Sequence, residues 1–223
     1  MVVDQSSSAK AIKRQLKHST GLDPSNSAVY KAKAAIINSA IGDETDSFKR
    51  LPAYVKALVD VDKDTRAVLE LDNGKFHRMF VSPGACSKAW RHARQWLAVD
   101  ATFMKTKHQL RLHLAAAMDG TGSLILLAWA VSPGESQDNW EWFMLNLRQS
   151  LQDLDASSAT IVSDRNAGLL NAIETILPNA NSVYCCFHIA KNLKDHRFSA
   201  AAGRVFWQMV YAPTKSKFDG YME

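Results

Sequence analysis

The sequence has few cysteines and no long hydrophobic segment. Its 223 residues contain three cysteines, two of them adjacent, which is too few for the disulfide framework of a small secreted domain. The longest apolar run, "LILLAWAV" (124–131), is far too short to span a bilayer. The N-terminal "MVVDQSSSAKAIKRQ" lacks the apolar core of a secretory signal. These absences predict a nuclear or cytoplasmic protein with no transmembrane segment.

Low-complexity tracts and internal repeats are also absent, which excludes a repeat array and a largely disordered chain. The hydrophobic fraction of 47% and the charged fraction of 22% are those of an ordinary globular protein. The chain is long enough to bury a sizeable core. A formal net charge of +5 mildly favours a polyanionic partner such as DNA.

The N-terminal part is predicted to be a helical unit. Residues 1–8 form a disordered tail, and residues 9–65 contain "AKAIKRQLKH", "AVYKAKAAIINSAIG" and "SFKRLPAYVKALVDV", each with a helical pattern and the last with Pro52 in its first turn. The first two helices carry an excess of basic residues: Lys10, Lys13, Arg14, Lys17, Lys31 and Lys33. Two interpretations remain open, DNA contact by a helix-turn-helix-like pair and an ordinary solvated helix face.

Residues 66–197 are predicted to form an α/β core. "RAVLELDNGKFHRMFVS" (66–82) is a hairpin around Asp72-Asn73-Gly74, followed by a short helix that ends near residue 92. Five strands follow: "QWLAVDATF", "LRLHLAAAMD", "SLILLAWAVS", "ATIVSD" and "NSVYCCFH". The helix "NWEWFMLNLRQSLQDL" precedes the fourth strand, and "NAGLLNAIETIL" follows it. Short turns make the first three strands antiparallel, and helical crossovers make the others parallel. This order predicts the ribonuclease H-like fold, a mixed five-stranded sheet with flanking helices.

Two aspartates stand out in this arrangement. Asp100 ends the buried part of the first strand, and Asp164 ends the fourth strand. The two strands are neighbours in such a sheet, so both side chains should lie at one edge, where two carboxylates repel each other unless a divalent cation binds them. Oxygen ligands suit Mg²⁺ or Mn²⁺ rather than zinc. The alternatives are that Asp164 caps the following helix and that Asp100 is satisfied by a backbone amide or an arginine.

Four stretches resemble the catalytic region of Mutator-like element (MULE) transposases, the type related to the far-red-response regulators. They are "LAVDATFMKT", "AAAMDGTGSLILLAWAVSPGESQDNWEWFMLNL", "TIVSDRNAGLLNAIETILPNANSVYCCFHIAKNL" and "VFWQMVYAPTKSKFDGYM". They occur in the order and at the spacing of the family and cover about residues 76–223. Singly, "DATF" or "SDR" would be weak signals, but together the four stretches are specific.

The resemblance implies a DDE-type transposase, in which two aspartates and one glutamate hold two Mg²⁺ ions for DNA cleavage and strand transfer. Asp100 and Asp164 match the two aspartates as catalytic and metal-binding residues. The family's Cys-x-x-His signature falls on Cys185 and His188, for which contact with metal or DNA and a structural role remain open. Two such ligands alone do not support zinc. The implied partners are the DNA of the element ends and of the target, and a homo-oligomer is compatible with the family.

The chain departs from the family at the third carboxylate. The family's glutamate lies beyond a helical insertion, whose start corresponds to residues 198–223, and Glu135, Glu174 and Glu223 do not match it. We therefore expect a transposase-derived protein with little or no strand transfer by this chain alone. The alternatives are a domesticated DNA-binding or regulatory protein without enzymatic activity and a non-functional transposon fragment.

Two further motifs have simpler interpretations. "DGTG" (119–122) is predicted to be a hairpin turn rather than a phosphate-binding loop. Trp140 belongs to the apolar stripe of its helix, whereas Trp142 points elsewhere, to pack on a neighbouring layer or to stack on a base.

Overall fold

The computed structural model describes residues 8–41, 44–105 and 108–222. The chain divides into two compact units, Met1–Tyr54 and Val55–Glu223. Seven residues of the predicted disordered tail, 1–7, and the last residue, Glu223, lie outside the described residues. The functional domain boundaries predicted from the sequence stay predictions.

The first unit is helical. A small core joins Ala9, Ile12 and Val29, with Leu16 packed against it. The first helix begins after Ser8, whose hydroxyl accepts a hydrogen bond from the amide of Ala11 at 3.1 Å. The helices of this part of the chain are α1 (Ala9–Thr20), α2 (Asn26–Ile41), α3 (Glu44–Lys49) and α4 (Leu51–Val61), the last of which continues into the second unit.

The third predicted helix is in fact two helices. A turn at Arg50 separates α3 from α4. Pro52 lies in the first turn of α4, as predicted, where the N–H that proline lacks would have no intrahelical partner.

The second unit contains one mixed sheet of seven strands, and the predicted α/β class is confirmed. The strand order is β1-β2-β5-β4-β3-β6-β7. β3 pairs with β6, and β6 with β7, in parallel, whereas all other pairs are antiparallel. The strands are β1 (Arg66–Asp72), β2 (Lys75–Ser82), β3 (Trp96–Phe103), β4 (Arg111–Met118), β5 (Leu124–Ser132), β6 (Thr160–Ser163) and β7 (Asn181–Tyr184).

The predicted count of five strands is wrong because the N-terminal hairpin belongs to the same sheet. Its turn is as predicted, with positive φ at Asn73 (49°) and Gly74 (76°), as in the two-residue turns that suit hairpins. β2 then pairs with β5, Met79 opposite Val131. The hairpin thus extends the sheet beyond β5.

Helices α6 (Gln137–Ser150) and α7 (Ala167–Ile176) pack against the sheet in one hydrophobic core. The unit's other helices after α4 are α5 (Gly84–Trp90), α8 (Cys186–Asp195), α9 (Ala200–Val210) and α10 (Lys215–Asp219). The predicted stripe of α6 is buried, from Trp140 to Leu147, and packs with residues of α7 and with Leu97 and Val99 of β3. Across the described ranges no helix is long and apolar enough to cross a membrane.

The last strand is shorter than predicted. "NSVYCCFH" was expected to be one strand, but β7 ends at Tyr184 and α8 begins at Cys186. The neighbouring strand β6 has only four residues, and the amide of Cys185 makes the closing hydrogen bond to the carbonyl of Ser163 at 2.7 Å. The ladder therefore ends there, and the apolar Cys-Cys-Phe segment starts a helix.

Candidate functional site

Asp100 and Asp164 lie at the same edge of the sheet. β3 and β6 are adjacent and parallel, and Ala98 is the partner of Val162. The same register, extended by two residues, places position 100 opposite position 164. Neighbouring strands are about 4.8 Å apart, so this register brings the two positions near each other.

Within the described ranges, each carboxylate accepts one strong hydrogen bond from the protein. Asp100 accepts from the backbone amide of Ala101 at 2.8 Å, and its side chain is 55% exposed. Asp164 accepts from the amide of Asn166 at 2.9 Å. The cap of α7 is Asn166 itself, whose side chain accepts from the amide of Leu169 at 3.1 Å. Asp164 is therefore not the helix cap, and both aspartates keep lone pairs for a ligand.

His188 approaches this pair from α8. Its Nε2 lies 3.8 Å from the Oδ2 of Asp100. Its Nδ1 is buried and has no hydrogen-bond partner in the described part of the protein. Cys185 is the N-cap residue of α8, and its side chain makes no capping hydrogen bond. The predicted Cys-x-x-His pair thus lies at the start of a helix rather than at the end of a strand, and the helix directs His188 toward Asp100.

An ion pair lies near the end of β3, where Arg111 of β4 meets Glu135. Arg111 pairs with Phe103 in the ladder between β3 and β4, and its guanidinium lies 3.2 Å from the centre of the Phe103 ring. Its Nε donates to Glu135 at 3.0 Å. Glu135 is therefore engaged by an arginine, a contact that the sequence pattern did not reveal.

The donor set at this edge suits a hard divalent cation. Asp100 and Asp164 offer carboxylate oxygens, and Mg²⁺ is commonly held by one or two carboxylates while it keeps several waters. No cluster of three or more His, Cys, Asp or Glu residues with metal-binding geometry occurs in ranges 8–41, 44–105 and 108–222. With these two carboxylates alone, a pair of ions would need a further ligand.

The six basic residues predicted to contact DNA differ in their surroundings. Lys13 and Lys17 both pair with Asp23, at 3.1 and 2.9 Å. Hydrogen bonds from Lys17 and Lys13 hold the pKa of Asp23 below its ordinary value. Lys10 and Arg14 on α1 and Lys31 on α2 are exposed, whereas Lys33 is half-buried. No measured contact with DNA tests this set, so the DNA-binding role stays a prediction.

The "DGTG" motif (119–122) forms a turn, and Trp142 is a packing residue. The Oδ1 of Asp119 accepts from the amides of Thr121 and Ser123 at 2.8 and 2.9 Å, so "DGTG" is the predicted turn. Trp142 is buried and packs edge-on against Phe80 at 6.3 Å, which confirms packing on the neighbouring layer.

The fold and this edge define an α/β protein with a carboxylate pair on adjacent parallel strands. Residues 96–192 match the family model described as the MULE transposase domain, and the resemblance predicted from the sequence is confirmed over that segment. The matched range contains Asp100, Asp164, Cys185 and His188.

One curated relative is a plant protein. The chain is 22% identical over 149 residues to Protein FAR1-RELATED SEQUENCE 6 of Arabidopsis thaliana, an alignment that covers 65% of this chain and 21% of that protein. The chain thus spans about a fifth of the length of this relative.

Proposed function

We propose that this chain is a MULE transposase-derived protein whose ribonuclease H-like core binds DNA and holds Mg²⁺ or Mn²⁺ between Asp100 and Asp164. The observation that carries the proposal is the register between β3 and β6, which brings the two aspartates to one edge. The strand order β5-β4-β3-β6-β7, with its first three strands antiparallel and its last two parallel, supports the ribonuclease H-like assignment.

The proposed chemistry is DDE-type phosphoryl transfer. A bound Mg²⁺ would polarise a phosphodiester oxygen and make an attacking water more acidic. Asp100 and Asp164 would fix its position through the rigid strands that carry them. His188, 3.8 Å from Asp100, would orient that carboxylate. Because no third carboxylate joins the pair in the described ranges, we propose that the chain alone performs little or no strand transfer.

Metal binding provides the first test. Titration calorimetry with Mn²⁺ should show a site that Asp100→Asn and Asp164→Asn each weaken at least tenfold. Asp72→Asn, at the exposed hairpin turn, is the matched control and should bind like the wild type. Equal affinity in the wild type and both site variants would exclude the proposed metal site.

A DNA cleavage assay provides the second test. With Mg²⁺ and DNA carrying element ends, we expect no strand-transfer product from residues 1–223. Product formation by the wild type but not by Asp100→Asn would overturn the proposed inactivity and leave the site assignment intact.

A second candidate function, DNA binding or regulation without catalysis, is favoured by the exposed basic residues of α1. Replacement of both Lys10 and Arg14 with glutamine should weaken DNA binding and reduce its dependence on salt. In a plot of the logarithm of the binding constant against the logarithm of the salt concentration, the slope should become less steep by about one unit for each phosphate that the helix no longer neutralises. The same change at Lys215 and Lys217 of α10 is the charge-matched control. Unchanged affinity after the α1 substitutions would exclude this role for the helix.

A further inference from the structure

The two outer strands of the sheet differ in the protection of their free edges. β1 carries the charges of Arg66, Glu70 and Asp72, and its ladder is irregular between Glu70 and Leu71. β7 is Asn-Ser-Val-Tyr, with no charge and no proline, and all four residues are exposed. Charges, bulges and a short length are among the devices that keep sheet edges from pairing with other chains. β7 is short, but it has no charge and no bulge, so its edge is open to pairing.

The outward-facing backbone groups of β7 belong to two residues. The amide of Asn181 donates to Ala159 at 2.9 Å, and that of Cys185 donates to Ser163 at 2.7 Å. Backbone groups alternate along a strand, so the N–H and C=O groups of Ser182 and Tyr184 point away from β6. In the part of the chain that the structure describes, no strand pairs with that side.

The same two residues border an open groove. Ser182 and Tyr184 line a cavity of about 460 Å³ between β7 and α7, together with the apolar Leu170, Ile173 and Leu177. Val183 points to the opposite face of the strand and is 43% exposed. The edge thus combines unpaired backbone groups with apolar surface on both faces.

We propose that β7 pairs in antiparallel orientation with β7 of a second copy of this chain, which joins two seven-stranded sheets into one. A two-fold axis through Val183 would place Ser182 opposite the partner's Tyr184 and Tyr184 opposite the partner's Ser182. This register pairs the outward-facing residues with one another and makes four backbone hydrogen bonds. A contact between identical strands across a two-fold axis is self-complementary in this way.

The side chains of β7 meet the requirement for a two-fold contact with a second copy. In a two-fold contact each strand meets its own sequence, so any charge near the axis would face a like charge. Asn-Ser-Val-Tyr has none. The large side chain of Tyr184 would lie beside the groove, opposite the small side chain of the partner's Ser182. The two Val183 side chains would meet at the axis. Glu174, which also lines the groove, is exposed and can stay solvated at its rim.

Sedimentation equilibrium of the full chain tests this contact. The apparent mass of the wild type should rise with concentration from monomer toward dimer. Val183→Lys should keep the protein monomeric at every concentration because it places two like charges at the axis, while circular dichroism stays that of the wild type. Leu71→Lys is the matched control, since Leu71 is 50% exposed on the opposite outer strand, and it should associate like the wild type. A monomeric wild type, or a dimer that Val183→Lys leaves intact, would overturn the proposal.

Crosslinking distinguishes β7 pairing from association elsewhere. Val183 and the partner's Val183 would form a non-hydrogen-bonded pair with Cα atoms about 4.5 Å apart, within the range of a disulfide. In Val183→Cys, oxidised glutathione should take two electrons from the two thiols, which gives one intermolecular disulfide and two reduced glutathione molecules. The wild type, with its three cysteines, and Leu71→Cys should give no comparable dimer. Equal crosslinking of Val183→Cys and Leu71→Cys would also overturn the proposal.

Discussion

Two groups of charged residues in the second unit have opposite surroundings. Arg78 of β2 is 12% exposed and donates to Glu70 at 2.6 Å and to Asp138 at 2.7 Å. Its guanidinium lies 4.7 Å from the centre of the Trp142 ring, and the indole N–H of Trp142 donates to Glu70 at 2.6 Å. We call these residues (Glu70, Arg78, Asp138 and Trp142) the hairpin network. We call the edge that carries Asp100 and Asp164 the carboxylate edge. There, by contrast, Asp100 has one backbone donor and a histidine at 3.8 Å.

This difference separates a stabilising arrangement from the proposed metal-binding site. In the hairpin network each partner is satisfied by another protein group, and removal of Arg78 leaves Glu70 and Asp138 without their cation. At the carboxylate edge the two aspartates lie at the end of adjacent parallel strands, and in the described ranges each accepts one backbone hydrogen bond, which leaves lone pairs for a ligand. Sites of this second kind are commonly less stable than the protein could be, because their function requires the unpaired groups.

Loss of Arg78 should have the largest effect on stability. Arg78→Ala leaves Glu70 partly buried without its cation and removes the packing on Trp142, so we expect the free energy of unfolding to fall by about 2–4 kcal/mol. Urea denaturation followed by tryptophan fluorescence measures the change. Lys75→Ala, an exposed cation on the same strand, should change stability by less than about 0.5 kcal/mol. Similar decreases in the two variants would mean that the network does not stabilise the hairpin.

The buried His113 should make stability depend on pH. Its Nε2 lies 2.7 Å from the hydroxyl of Ser132, which itself donates to the carbonyl of Gly134, so the Nε2 of His113 carries the proton. Burial lowers the pKa of His113 from 6.5 to about 4. Between pH 4 and pH 6.5, His113 is therefore protonated in the unfolded chain but not in the folded chain. Stability should be full above pH 6.5 and fall by up to about 3 kcal/mol as the pH drops toward 4.

Thermal or urea unfolding between pH 4 and pH 7.5 measures this dependence. His113→Leu should be less stable at neutral pH, because Ser132 loses a partner, but should lose much less stability on acidification. The exposed His18→Leu is the control and should keep the wild-type pH profile. A wild-type profile in His113→Leu would assign the pH dependence to other groups.

Substitutions at the carboxylate edge should have the smallest effect on stability, and they should raise it, whereas the substitutions at Arg78 and His113 lower it. Without divalent cations, Asp100→Asn or Asp164→Asn removes a repulsion between the two carboxylates and should raise stability by at most about 1 kcal/mol. Added Mg²⁺ should stabilise the wild type but neither variant, because a ligand stabilises only the form that binds it. The shift in melting temperature with and without a chelator is the readout. Clear destabilisation by either substitution would place the two aspartates with the hairpin network as structural residues.

Several features were predictable because they depend on neighbours in the sequence. The Asp72-Asn73-Gly74 turn follows from the ease with which Asn and Gly adopt positive φ. The buried stripe of α6 follows from helical spacing. The placement of Asp100 beside Asp164 needed one further step, the parallel neighbouring strands implied by a helical crossover.

Other features could not be predicted because they depend on distant contacts. The pairing of Met79 with Val131 attaches the hairpin to the sheet, and no local pattern encodes that register. The pairing of Arg78 with Glu70 and Trp142 depends in turn on how α6 crosses the hairpin. The end of β7 at Tyr184 was missed because the length of its neighbour β6, not the apolar Cys-Cys-Phe run, limits the ladder.

The sequence by itself determined most of the elements and the two aspartates that end the buried parts of their strands, since apolar periodicity and turn residues act over a few positions. Only the tertiary structure decided that the sheet has seven strands, that Arg78 joins the hairpin to α6, that His188 approaches Asp100 and that β7 presents an open edge. The physical reason is that hydrogen bonds and ion pairs between distant segments form only after the sheet register has been fixed.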